Sequence, residues 1–167
     1  MRIFEIGGNK KSISKFYTED FGIVANGMTC QGQNVAIYND KCIKIFNTDT
    51  HISLEVSDFE GNISQLSWLN DMHFCISTNN GLYIFYASEE QYIQKSHSPF
   101  KETVIVKNIV YEAENEMLYI LHEEGDLIKK KLDNFSFSSE PDTKLSISGI
   151  LSLGESHIIS KVGVVII

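Results

Sequence analysis

Residues 72–87, "MHFCISTNNGLYIFYA", decide the fold of this chain. Two apolar runs, rich in aromatic residues, Ile and Leu, flank the polar triplet Asn79-Asn80-Gly81. Short runs of this composition are typical of β-strands. Asn and Gly tolerate the positive φ that a tight hairpin turn uses. The stretch therefore predicts a β-hairpin with positive φ in its turn.

The same hairpin pattern recurs along the chain. It is found in "NVAIYNDKCIKIFNT" from Asn34, in "EMLYILHEEGDLIKKKL" from Glu116 and in "SHIISKVGVVII" from Ser156. The last apolar residues before the turns are separated by 39 residues (Ile37 to Ile76), 44 (Ile76 to Ile120) and 39 (Ile120 to Ile159). A period near 40 without amphipathic helices is typical of β-propeller blades, each a four-stranded sheet. The sequence predicts an all-β fold of about four such repeats; a β-sandwich, whose turns also come at short intervals, is the alternative.

One repeat carries a family resemblance. "ISQLSWLNDMHFCISTNNGLYIFYA", residues 63–87, resembles a repeat of the WD-repeat family: a strand ending in Trp68, a polar turn, a strand closing on Ser77 and Thr78, and a strand ending in an aromatic pair. Phe85-Tyr86 stand where the family has its Trp-Asp dipeptide, and Phe46-Asn47 match them one repeat earlier. The chain has no Trp-Asp, so the family's hydrogen-bond network is not carried over. The resemblance is to a divergent, WD-like β-propeller and covers most of the chain.

The resemblance implies an order of strands a, b, c and d within each blade, from the centre outwards. On that order the chain begins with "RIFEI" as a c strand and reaches "GVVII" (residues 163–167) as the c strand of its last blade. We expect a half-blade at 1–20, blades at about 21–60, 61–102 and 103–144, and an incomplete blade at 145–167. This organisation predicts an open or incomplete ring, the N-terminal part of a longer propeller. The d strand after "GVVII" would come from downstream chain or from a partner.

Composition excludes several classes of partner. The formal net charge is −8 and Arg2 is the only arginine, which argues against binding to nucleic acid. No apolar run reaches the length of a membrane span. The cysteines, Cys30, Cys42 and Cys75, are odd in number and lie in or beside apolar runs. This pattern predicts reduced, buried thiols and an intracellular location, cytoplasmic or nuclear.

Candidate binding residues follow from the predicted topology. Because strands alternate in direction, the b–c turns and the d–a connections emerge at one face. That face contains Asp40, Asp58, Glu60, Asn79, Asn80, Glu123 and Glu124. It is mostly acidic, and rigid blades commonly bind partners through such loops. We therefore expect other protein subunits as partners, in particular a basic peptide or surface. The acidic run from Glu112 to Asp126 is interpreted first as a solvated blade edge and second as a surface for a basic partner.

The sequence shows no coherent catalytic constellation. The four predicted a strands contain few carboxylates and no histidine, and the five histidines lack the spacing of a zinc site. We expect no catalytic residues, no metal and no cofactor. The resulting hypothesis is a non-enzymatic scaffold for protein–protein interaction in an intracellular multiprotein assembly. The alternatives are a propeller hydrolase with a site in its central channel and a β-sandwich binding domain.

Overall fold

A computed structural model describes residues 22–88 and 90–145 together with the backbone of five further strands. The strands are β1 (Arg2–Ile6), β2 (Ile13–Thr18), β3 (Gly27–Gln31), β4 (Asn34–Tyr38), β5 (Ile43–Asn47), β6 (Ser53–Val56), β7 (Ile63–Trp68), β8 (His73–Thr78), β9 (Gly81–Ala87), β10 (Tyr92–Pro99), β11 (Val106–Glu112), β12 (Met117–His122), β13 (Leu127–Asp133), β14 (Ser136–Phe137), β15 (Thr143–Leu145), β16 (Ile150–Leu153), β17 (His157–Ser160) and β18 (Gly163–Ile166). The described chain is all-β, as the sequence predicts. None of its residues belongs to a helix of the length and apolar character that crossing a membrane requires.

The strands form open antiparallel sheets, each taken from one continuous segment of chain. Sheet I is β1–β2, sheet II is β3–β6, sheet III is β7–β10, sheet IV is β11–β15 and sheet V is β16–β18. In sheets II and III each strand pairs with the next one along the chain. In sheet IV both β14 and β15 pair with β13. The predicted fourth strand beside β18 lies outside the described residues.

Among the described residues, sheets II, III and IV pack face to face through two shared apolar cores. The first strands, β3, β7, β11 and β16, contact one another in that order. Between sheets II and III lie Ile45, Phe74 and Phe85, and between sheets III and IV lie Cys75, Ile84 and Leu118, all of them buried. The middle strands of sheet III, β8 and β9, are therefore apolar on both faces, which is why they are near-continuous hydrophobic runs rather than alternating ones.

The repeat seen in the sequence is also a repeat in register. Ile37, Ile76 and Ile120 each stand fourth in the second strand of their sheet, opposite Lys44, Tyr83 and Ile128. Phe46, Phe85 and Lys130 likewise share one position, opposite the second residue of the preceding strand. The second and third strands of sheets II, III and IV are therefore paired in the same register, so that residues at equivalent positions lie opposite each other in each sheet.

Lys130 is a buried cation at a position where two other sheets carry phenylalanine. Its Nζ lies 2.5 Å from Asp142 Oδ1 and 5.4 Å from the centre of the Phe137 ring. Burying an ammonium group is costly unless it is paired, so the segment that carries Phe137 and Asp142 stabilises this position. The pairing keeps β14 and β15 against β13.

The hairpin of residues 73–87 is present, but its turn differs from the prediction. None of Asn79, Asn80 and Gly81 has positive φ. Thr78 Oγ1 instead accepts a hydrogen bond from the backbone N–H of Asn80 at 3.2 Å. Glycine is needed at position 81 for space, because a Cβ there would lie 2.7 Å from the carbonyl oxygen of Ser98 on β10.

The cysteines differ in exposure. Cys75 is buried, Cys42 is half-buried and Cys30 is exposed, and all three are free thiols. Burial raises the pKa of the Cys75 thiol, which keeps it protonated and unreactive. The expectation of buried thiols is therefore correct for Cys75 and wrong for Cys30, which is exposed on the first strand of sheet II.

Substitution of two isoleucines of sheet III tests how much the burial of this sheet between two neighbouring sheets contributes to stability. Ile84 is 0% exposed in the core between sheets III and IV, whereas Ile93 on β10 is 47% exposed. We expect Ile84→Ala to lower the free energy of unfolding by about 2–5 kcal/mol, because it leaves a cavity. The control Ile93→Ala should lower it by less than about 1 kcal/mol. Urea unfolding followed by fluorescence measures both values, and equal effects would contradict the shared core.

Candidate functional site

The loops at one end of sheets II, III and IV form a continuous surface, which we name the acidic loop end. It comprises residues 39–42, 57–62, 79–80, 100–105 and 123–126, which connect β4 to β5, β6 to β7, β8 to β9, β10 to β11 and β12 to β13. Because neighbouring strands are antiparallel, these connections emerge on the same side. All seven residues predicted to bind a partner lie in it.

Sheets II and III are tied together at this end by the β4–β5 turn and the β6–β7 loop. The backbone N–H of Ile63 donates to the carbonyl oxygen of Asp40 at 2.9 Å. Lys41 Nζ donates to the carbonyl oxygen of Gly61 at 3.1 Å. The Asp40 carboxylate accepts a hydrogen bond from the side-chain amide of Asn26. The position of Asp40 is thus fixed from both its backbone and its side chain.

Asn79 joins the β6–β7 loop to the β8–β9 turn. Its Oδ1 accepts from the N–H of Asn62 at 2.7 Å, and its own N–H donates to the carbonyl oxygen of Asn62 at 3.1 Å. Gly61, with φ of +94°, lies so close that a Cβ would overlap Asn79 Oδ1. Asn79 is half-buried. It holds the loops in place, a role that the sequence pattern does not reveal because the contact depends on a glycine 18 residues away.

Sheets III and IV are joined in the same manner. The N–H of Val104 donates to the carbonyl oxygen of Asn79 at 3.3 Å, and the N–H of Phe100 donates to that of Asn80 at 2.8 Å. The N–H of Glu123 then donates to the carbonyl oxygen of Ile105 at 2.9 Å. A chain of hydrogen bonds therefore runs across all three sheets, from Asp40 to Glu123.

Carboxylates predominate on this surface. Asp40, Asp58, Glu60, Glu123 and Glu124 are exposed, as is Asn80. Asp58 Oδ2 accepts a hydrogen bond from the Tyr92 hydroxyl at 2.9 Å, which orients this carboxylate. Two of the nearby ammonium groups are engaged locally: Lys41 binds a carbonyl oxygen, and Lys144 pairs with Asp126 Oδ2 at 2.6 Å. The surface is consequently suited to attract cationic groups.

The acidic run from Glu112 to Asp126 is not a single patch. Glu112 and Glu114 lie at the β11–β12 turn, at the end of the sheets opposite Glu123 and Glu124. Strand β12 separates the two groups by roughly 17–20 Å, the length of a six-residue strand. The run therefore cannot form one binding surface, because strand β12 carries the chain from one end of the sheet to the other.

His122 lies at the rim of the acidic loop end. Its ring packs edge-on against Phe100 with centroids 6.1 Å apart. Burial lowers the pKa of His122, and the positive charge of Lys144 acts in the same direction, while Asp126 and Glu124 oppose it. The neutral imidazole is therefore favoured in the folded chain despite the carboxylates around it.

The chemistry available at this end is recognition of charge. Within the residues that the structure describes, no three His, Cys, Asp or Glu side chains are grouped so as to hold a metal ion. Comparison of the chain with known protein families and with curated proteins finds no match. The binding role of the seven residues stays a prediction, and their common location is what the structure adds.

Substitution of two glycines that share one φ value distinguishes the cost of backbone strain from the cost of steric overlap. Gly61 and Gly125 both have φ of +94°, but a Cβ at Gly125 would meet nothing within 4 Å. We expect Gly125→Ala to cost about 1–3 kcal/mol of stability from backbone strain alone. Gly61→Ala should cost at least about 1 kcal/mol more, because it displaces Asn79. Addition of Asn79→Ala to Gly61→Ala should recover part of that excess in a double-mutant cycle. Equal losses for the two glycine variants would show that Asn79 does not lock the loops.

Stability should also depend on the protonation of His122. Because its pKa is lowered on folding, the unfolded chain binds the proton first as the pH falls below about 6.5. This contribution is therefore fully present above that pH and is lost as the pH falls toward the folded-state pKa. We expect His122→Gln to flatten the decline of the free energy of unfolding between about pH 8 and about pH 5.5. The exposed His97→Gln is the control, and a slope unchanged in His122→Gln would contradict the assignment.

Proposed function

We propose that this chain is a divergent, WD-like propeller segment that serves as a non-enzymatic interaction module. It binds a basic peptide or the basic surface of another protein subunit through the acidic loop end. The observation that carries the proposal is the chain of hydrogen bonds from Asp40 to Glu123, which holds exposed carboxylates of three sheets in one surface.

The propeller part of the proposal is supported by repetition. Sheets II and III have the same strand order, and their first strands contact each other and the first strand of sheet IV in sequence. Phe46 and Phe85, which stand where the WD family has tryptophan, share one register position, and Lys130 takes that position in sheet IV. Radial blades require this kind of equivalence, whereas the two sheets of a sandwich do not.

The binding part is supported by electrostatics and by rigidity. One exposed ion pair contributes only about 0–1 kcal/mol, so useful affinity requires several carboxylates acting together. Loops that are already fixed by hydrogen bonds lose little conformational entropy on binding. A partner with several Lys or Arg side chains spaced along an extended segment fits these requirements. Its association should be fast and should weaken with added salt.

Charge reversal tests the site. The double variant Glu123→Lys/Glu124→Lys should weaken binding of a fluorescein-labelled peptide of alternating Lys and Gly by at least about tenfold, or about 1.4 kcal/mol. The control Glu114→Lys/Glu140→Lys changes the net charge equally at exposed positions away from this end. It should change affinity by less than about twofold, because both residues lie outside the acidic loop end and exposed charges are screened over about 10 Å at 0.1 M ionic strength. Fluorescence anisotropy gives the dissociation constants.

Comparison of the two double variants shows whether binding depends on the acidic loop end or only on the net charge of the chain. Equal weakening by both double variants would show that only overall charge matters, and the proposed surface would be wrong. Unchanged affinity in Glu123→Lys/Glu124→Lys would contradict it as well. The difference between the two variants should shrink at high ionic strength, because exposed charges are screened.

A further inference from the structure

A cleft opens between sheets II and III at the end opposite the acidic loop end. Its volume is about 610 Å³, and its lining includes Asn34, Asn47, Leu54, Asp71 and Met72. Both sheets contribute apolar residues to the wall, and Asp71 and Met72 come from the β7–β8 turn of sheet III. The volume suffices for one large side chain together with adjoining backbone.

Side-chain amides fix the walls of the cleft. Asn47 Nδ2 donates to Asn34 Oδ1 at 3.0 Å, and Asn34 Nδ2 donates to the carbonyl oxygen of Asp71 at 2.7 Å. Gln31 Nε2 donates to Asp71 Oδ1 at 3.1 Å. Asn47 Oδ1 also accepts from the backbone N–H groups of the β5–β6 loop. The cleft is therefore formed before any ligand arrives.

The corresponding space between sheets III and IV is filled by the chain itself. His73 pairs with Tyr86 at the register position where Asn34 pairs with Asn47 in sheet II. The ring of Phe135, from the β13–β14 turn, stacks on His73 with centroids 4.1 Å apart and planes 10° apart. Phe135 also contacts Tyr111 at 6.2 Å. An aromatic ring is thus what this kind of inter-sheet space accepts.

The cleft between sheets II and III presents a different rim. The β9–β10 connection corresponds to the turn carrying Phe135, and among its described residues Ser88 lines the cleft. Ile52 and Met72 remain 39% and 51% exposed at its edge. Among the described residues of the lining there is one carboxylate, Asp71, which is exposed, and there is no Lys or Arg. Apolar walls beside an exposed carboxylate complement an apolar side chain next to a basic one.

We propose that this cleft binds a peptide segment of a partner protein through an aromatic side chain flanked by Lys or Arg. The ring lies between Leu54 and Met72 as Phe135 lies between His73 and Tyr111, and the basic group pairs with Asp71. This is a second site, separate from the acidic loop end, and it does not depend on the function proposed there.

The test is a site-resolved titration of the intact chain. The probe is the peptide acetyl-Gly-Lys-Phe-Lys-Gly-amide, followed by amide chemical shifts in two-dimensional NMR spectra. We expect saturable shifts at Asn34, Asn47 and Ser88, including the side-chain amides of both asparagines. Replacement of Phe by Ala in the probe, or of both Lys by Glu, should weaken binding at these signals at least about fivefold.

Two exposed methionines supply a matched pair of variants. Met72 at the cleft is 51% exposed, and Met28 on β3, outside the cleft lining, is 59% exposed. Met72→Lys should lower the affinity for the peptide probe at least about fivefold, because it places a cation beside the site. Met28→Lys should change that affinity less than about twofold. Both side chains point into solvent, so neither change should prevent folding.

Several outcomes would overturn the proposal. Shifts confined to the acidic loop end would do so while leaving the proposed function intact. Binding that is insensitive to the Phe of the probe, or equally weakened by the two methionine variants, would also contradict it. Shifts at the cleft that appear on concentrating the chain without peptide would identify a second copy as its occupant instead. The variant Glu123→Lys/Glu124→Lys should leave titration at the cleft signals unchanged, which separates the two sites.

Discussion

Burial of sheet III on both faces is the constraint on which the rest of the structure depends. Phe74 and Phe85 pack toward sheet II, and Cys75 and Ile84 pack toward sheet IV. A sheet without a polar face cannot be stable alone in water, because leaving either face exposed costs about 25 cal/mol for each Å² of apolar surface. The flanking sheets must therefore pack against it, and their first strands come together as a consequence.

The shape of both ends of the sheets follows from this packing. Strands held between two cores leave short connections with little freedom, and hydrogen bonds between neighbouring connections remove most of what is left. At one end the connections carry exposed carboxylates, among them Asp58 and Glu124. At the other end the gap between sheets is either filled by Phe135 or left open beside Asn34. The same framework thus offers two surfaces with different chemistry.

The sequence predicts what depends on local pattern and fails where distant residues meet. The hairpin of residues 73–87, the all-β class and the location of Asp40 and Glu123 at one end follow from strand alternation. The burial of Lys130 does not, because Asp142 lies in a segment that has no strand pattern of its own. Nor do the amide contacts of Asn34 with Asp71, 37 residues away. The φ angles of the Asn79-Asn80 turn were mispredicted because Thr78 and the neighbouring loops, rather than Gly81, determine its shape.

Native-state hydrogen exchange tests the central claim most directly. If the double burial of sheet III holds the structure together, backbone amides of β8 (His73–Thr78) and β9 (Gly81–Ala87) should open only with global unfolding. Their opening free energy should equal that from urea denaturation, while amides in β6 (Ser53–Val56) and β10 (Tyr92–Pro99) should exchange through smaller openings. Exchange in β8 and β9 as fast as in those outer strands would contradict the account.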